Sequence, residues 1–182
     1  MAEGRGIMDE RRSGTYGQFI LRGAIWGIVA SLVMALYAMI ASAGLGQGFL
    51  TPLYGIASPI VGGRDMMASM SMVHVNIGPL LIGAIVHMMW GALYGVVFAL
   101  LARQFGLQGV TGLIAGAVYG LIVMAIMMYI ALPIVGAGGM PQTVGFSFGV
   151  EHVIFGVVLG LWPLLRPVEF DRARQTQELA TP

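Results

Sequence analysis

The chain contains no cysteine and no lysine, and only 9% of its 182 residues are charged. Without cysteine there are no disulfides, thiolate zinc sites, iron–sulfur clusters, covalent haem attachments or cysteine nucleophiles. Without lysine, nine arginines are the whole basic complement, and the net charge is +1. Those arginines lie scattered at the ends of apolar runs, so the clustered cations of a nucleic-acid binder are missing. The scarcity of charge excludes most. Soluble domains carry roughly 25% charged residues, and a chain that is 58% hydrophobic with a mean hydropathy of +0.87 cannot cover itself with a water-compatible surface. The sequence reads as an all-α membrane protein. No Ser/His/Asp set, phosphate loop or carboxylate pair is present, and the reading is non-enzymatic.

A helical crossing needs about 20 apolar residues. Four runs meet that length, at about 19–44, 79–102, 110–135 and 146–165, giving a transmembrane domain over 18–166. A polar segment, 1–17, precedes it and reads as frayed; a polar tail, 167–182, follows. Residues 104–109 form a tight turn, whereas 45–78 make a long outer connection with Pro52, Pro59 and several glycines. Irregular backbone cannot face lipid, so this connection is expected at the interface or folded back on the helices as a lid.

Arg5, Arg11, Arg12, Arg22, Arg103, Arg166, Arg172 and Arg174 fall on one side of a four-span arrangement, and Arg64 alone falls on the other. The positive-inside rule then places both termini in the cytoplasm of a bacterial-type inner membrane. The first run also has some features of a signal peptide, with Ala41-Ser42-Ala43 resembling a cleavage site. It is longer than an ordinary leader core, and Asp9 and Glu10 interrupt the basic flank, so a retained helix is expected.

One pattern occurs twice. His87-x-x-Trp90-Gly91-x-x-x-Gly95 returns as His152-x-x-Phe155-Gly156-x-x-x-Gly160, and Gly23-x-x-x-Gly27-x-x-x-Ser31 returns as Gly112-x-x-x-Gly116-x-x-x-Gly120. This predicts a duplicated helical hairpin, with parallel copies related by an axis along the membrane normal. In the resulting up-down-up-down bundle, the second and fourth helices are diagonal partners. Residues four apart share a helix face, so Gly83, His87, Gly91 and Gly95 form one ridge. Small residues of this kind let helix backbones approach closely in lipid.

Three sets of residues are candidates for chemistry. His87 and His152 lie within about 3 Å of one depth when counted back from Arg103 and Arg166 at about 1.5 Å per residue. They suit either an axial pair on haem b or another metal, or two neutral imidazoles hydrogen-bonded between helices. Met66, Met67, Met70, Met72 and His74 in the outer connection offer soft donors for Cu(I), or flexible apolar filler. Glu151, the one acid well inside an apolar run, is either a proton site or an anchor paired with Arg64, His74 or His152.

The order of these elements resembles a family. The Gly-rich first span, the long outer connection, Val86-His87-Met88-Met89-Trp90, Gly112-Leu113-Ile114-Ala115-Gly116-Ala117 leading to Leu132-Pro133, and Glu151-His152-Val153-Ile154-Phe155 are together similar to the YagU-like bacterial inner-membrane proteins. The resemblance implies topology and location, without a reaction. The expectation is a non-catalytic multi-pass protein in contact with the bilayer. It would bind no cofactor and would serve as a structural or accessory subunit of a larger membrane complex, or as a homo-oligomer. Haem b and Cu(I) handling are the alternatives.

Overall fold

A computed structural model of the protein describes residues 3–62, 75–134 and 145–161, and every element among them is helical. We number these α1 (Glu3–Gly44), α2 (Thr51–Val61), α3 (Ile77–Phe105), α4 (Gly109–Ile134) and α5 (Gly145–Leu161). Phe19–Gly44 of α1, together with α3 and α4, is long and apolar enough to cross a membrane. Helix α5 has 17 described residues; the expected end of the fourth run, 162–165, lies outside the described residues.

The helix ends follow local chemistry. The Asn76 side chain accepts the Gly78 N–H at 3.3 Å and so caps the start of α3. Gly106, with φ 62°, takes the left-handed conformation that ends it. After a three-residue turn, the Thr111 hydroxyl donates to the Gln108 carbonyl at 2.6 Å and starts α4. Near its far end, α4 loosens into a π-helical stretch, Met127–Ala131, just before Pro133. A proline inside a helix removes one backbone donor and crowds the carbonyl four residues earlier, here that of Tyr129, and the wider turn relieves that crowding.

Two features depart from the sequence reading. The segment expected to fray is helical, since α1 begins at Glu3. The outer connection is not irregular throughout, because it contains α2, which packs on α3. Pro59 inside α2 deprives the Gly55 carbonyl of its helical donor, and the Ser58 hydroxyl supplies one at 2.8 Å. Tyr54 and Ala57 of α2 are buried, with the half-buried Leu50, Val61, Leu80 and Ile82 packed against them. The Tyr54 hydroxyl also accepts the Asn76 N–H at 3.0 Å, which ties α2 to the residue that caps α3.

Helix α1 packs along α3 and also against α5, and α4 packs along α5. Helices α3 and α4 are joined by the tight turn, yet meet over only a short stretch. In the α1–α3 contact, Gly23, Gly27 and Ser31 face Ala99, Gly95 and Gly91. A Cβ on Gly23 would lie 2.7 Å from that of Ala99, and one on Gly27 would lie 2.9 Å from the Gly95 Cα. In the α4–α5 contact, Gly112, Gly116 and Gly120 face Gly160, Gly156 and His152, and a Cβ on Gly116 would lie 3.1 Å from the Gly160 Cα. Approach this close is open only to glycine, and it maximises dispersion where no hydrophobic effect drives association. Gly83 does not belong to the α1–α3 contact: a Cβ there would strike the Leu53 backbone of α2. The ridge read from the sequence is therefore divided between two neighbours.

The central core holds Ala30, Phe98, Ala102, Tyr119, Val123, Phe155 and Leu159. Outside it, large apolar side chains such as Leu21, Ile85 and Ile114 are mostly exposed, a surface suited to lipid rather than water.

Candidate functional site

Few polar groups lie among these apolar helices, and the two histidines and Glu151 each make a definable bond. The ring Nε2 of His87, on α3, lies 3.1 Å from the Ser31 carbonyl oxygen on α1. A carbonyl can only accept, so Nε2 carries the hydrogen and Nδ1 keeps its lone pair. His152, on α5, is 4% exposed, and its Nδ1 lies 2.9 Å from the Phe148 carbonyl one turn earlier. Its tautomer is the opposite one: Nδ1 donates and Nε2 keeps the lone pair. The Phe148 ring meets the His152 ring edge-on at 4.3 Å.

The same sequence pattern therefore produces two different bonds, one between helices at His87 and one within a helix at His152. The neighbouring residue explains the difference in part. At the α1–α3 contact the partner is Ser31, whose side chain sits over Gly91, whereas at the α4–α5 contact the equivalent Gly120 lies directly against the His152 backbone.

Haem b fits this arrangement poorly. Nε2 of His87, the less crowded ring nitrogen, is already bonded to Ser31, and α1 touches α3 through its backbone one turn away, at Gly27 and Gly91. A macrocycle beside His87 would have to part that contact. Among the described residues no group of three or more His, Asp or Glu is gathered in a way that could hold a metal ion. Met66, Met67, Met70, Met72, His74 and Arg64 lie outside the described residues.

Glu151 is half-buried on α5 and accepts a hydrogen bond from the Ser147 hydroxyl at 3.3 Å. The sequence reading paired it with Arg64, His74 or His152. Among the described residues its bond runs to Ser147, one turn earlier on its own helix, and the His152 ring is turned to the Phe148 carbonyl; Arg64 and His74 lie outside the described residues.

A further polar group, not singled out by the sequence pattern, joins α3 and α4. The Tyr119 hydroxyl, on α4, donates to the Tyr94 carbonyl of α3 at 2.8 Å, and the Tyr94 hydroxyl reaches the Met127 sulfur at 3.7 Å. Phe98 packs against the Tyr119 ring with centroids 5.2 Å apart, and Trp90 stacks on Tyr94 at 5.7 Å. Tyr94, Phe98 and Tyr119 fill the space where α3 and α4 stand apart, with Trp90 at its exposed edge. The signal for them was legible: Trp90, Tyr94 and Phe98 are spaced by four, one position before Gly91, Gly95 and Ala99. Helix α3 thus carries a small ridge toward α1 beside a bulky ridge toward α4. At the turn end of α3, the Arg103 guanidinium sits 5.1 Å from the centre of the Phe19 ring.

Compared with protein-family models, curated proteins and solved structures, the chain matches none.

Proposed function

We propose that this protein is a non-catalytic, four-span protein of a bacterial-type inner membrane, built from a duplicated helical hairpin and acting as a structural or accessory subunit. The observation behind this reading is the use made of the repeated glycine pattern. In both halves, equivalent residues bring two helices to backbone contact, Gly27 on Gly91 and Gly116 on Gly156. The most specific feature of the sequence thus serves packing. The histidines that accompany it use their N–H groups on backbone carbonyls. A tightly closed interior beneath a broad apolar exterior suits a protein that acts through its outer surface, in a homo-oligomer or on a larger membrane complex. Kinship with the YagU-like proteins is part of this proposal and is compatible with it.

Native mass spectrometry of the protein extracted in a mild detergent tests the reading. The expected result is an assembly of more than one polypeptide, with no absorbance in the Soret region. A lone monomer carrying a stoichiometric haem or metal would overturn it in favour of a cofactor-binding role for His87 and His152.

A further inference from the structure

The cleft between α3 and α4 is held unequally along its length. Toward the connecting turn it is riveted: Tyr119 donates to the Tyr94 carbonyl at 2.8 Å, and Phe98 and Tyr119 are both buried against each other. Farther out, the polar bond between the helices is that from the Tyr94 hydroxyl to the Met127 sulfur, at 3.7 Å. Sulfur is a weak acceptor. Met127 is also the first residue of the π-helical stretch, which contains no buried residue, and neither does Leu132–Ile134 beyond it. Helix α4 is anchored to α5 through Gly112, Gly116 and Gly120, and its last buried side chain is Val123. From Met128 to Ile130 its side chains are exposed, Tyr129 at 77%.

A helix changes direction most easily where its hydrogen-bond ladder is already broken, at a π-bulge or a proline. Here both occur within one short stretch, beyond the last packed turn.

We propose that the outer end of α4, Leu132–Ile134, is a hinged arm pivoting on the π-helical turn Met127–Ala131, and that the Tyr94–Met127 contact is the latch that pins this turn against α3. Swinging out opens a side entrance from the lipid toward the Phe98–Tyr119 core, while both glycine contacts stay closed. The device is independent of the accessory-subunit reading, because it concerns motion within one chain.

The absence of cysteine allows a clean test. Spin labels on Ile134→Cys and Ile85→Cys, both at exposed positions on the outer halves of α4 and α3, report the separation in lipid nanodiscs by pulsed electron paramagnetic resonance. The expected result is a shorter and a longer distance population in the otherwise unaltered chain. Tyr94→Phe keeps the ring and removes the hydroxyl, and should raise the ratio of long to short by about fivefold, the effect of one modest hydrogen bond. Pro133→Ala restores the missing backbone donor, and deletion of Met128 returns the turn to α-helical register. Either change should narrow the distribution toward one population, so the test survives if the deletion variant fails to fold. A single narrow distance unaffected by Tyr94→Phe and Pro133→Ala would overturn the proposal.

Discussion

Gly91 and Gly27 face each other so closely across α1 and α3 that a Cβ added to Gly91 would lie 2.9 Å from the Gly27 carbonyl oxygen. Backbone cannot yield as a flexible side chain can. Gly91→Leu should therefore force the two helices apart, and Gly116→Leu should do the same at the α4–α5 contact. Overpacking of this kind costs about 1–3 kcal/mol or more. Val97→Leu, at a position 40% exposed, should stay within about 0.5 kcal/mol. Melting temperatures of the three variants in one detergent check this; equal values would show that the glycine contacts do not hold the helices together.

Gly83 receives α2 rather than α1, since a Cβ there would meet the Leu53 backbone. Gly83→Leu should undock α2 while leaving the α1–α3 contact intact. The expected result is faster proteolysis between Gln47 and Gly62, with a melting temperature closer to the unaltered chain than that of Gly91→Leu. Tyr54→Phe, which removes the acceptor of the Asn76 N–H, should loosen α2 by about 1 kcal/mol. Cleavage rates indistinguishable from the unaltered chain in both variants would count against the docking role.

His87 donates from α3 to the Ser31 carbonyl of α1. Replacing it with leucine removes that bond together with the desolvation of the ring, and inter-helix hydrogen bonds in lipid are worth about 0.6–2 kcal/mol. His87→Leu should thus lower stability by no more than that, and far less than Gly91→Leu. A collapse of the fold on His87→Leu, with loss of a visible absorption band, would identify a ligand instead.

Both termini are expected in the cytoplasm, because eight of the nine arginines fall on one side of a four-span arrangement. A reporter active only in the cytoplasm, fused after Pro182, should be active. Activity of a periplasm-only reporter at the same site would refute the orientation.

Much of the architecture was readable along the chain because its causes are local. A long run without charge has to satisfy its own backbone in lipid, and only a helix does so. This is why the second and third runs were located to within a few residues of α3 and α4. Glycines four apart must share one face, so close approach by Gly23, Gly27, Gly91, Gly95, Gly112 and Gly116 could be anticipated from spacing alone. Which neighbour each face meets is another matter. Spacing placed Gly83 and Gly91 on one ridge, yet the first faces α2 and the second faces α1, because the outer connection folds into a helix and occupies the nearer surface. The bond partners of His87, His152 and Glu151 likewise depend on which carbonyl or hydroxyl comes within about 3 Å, a distance set by helix rotation. Only the tertiary structure decided that α1 closes on α5 while α3 stands away from α4. The sum of facing side-chain volumes fixes that spacing, and Tyr94, Phe98 and Tyr119 are bulky where the α1–α3 and α4–α5 contacts are glycine.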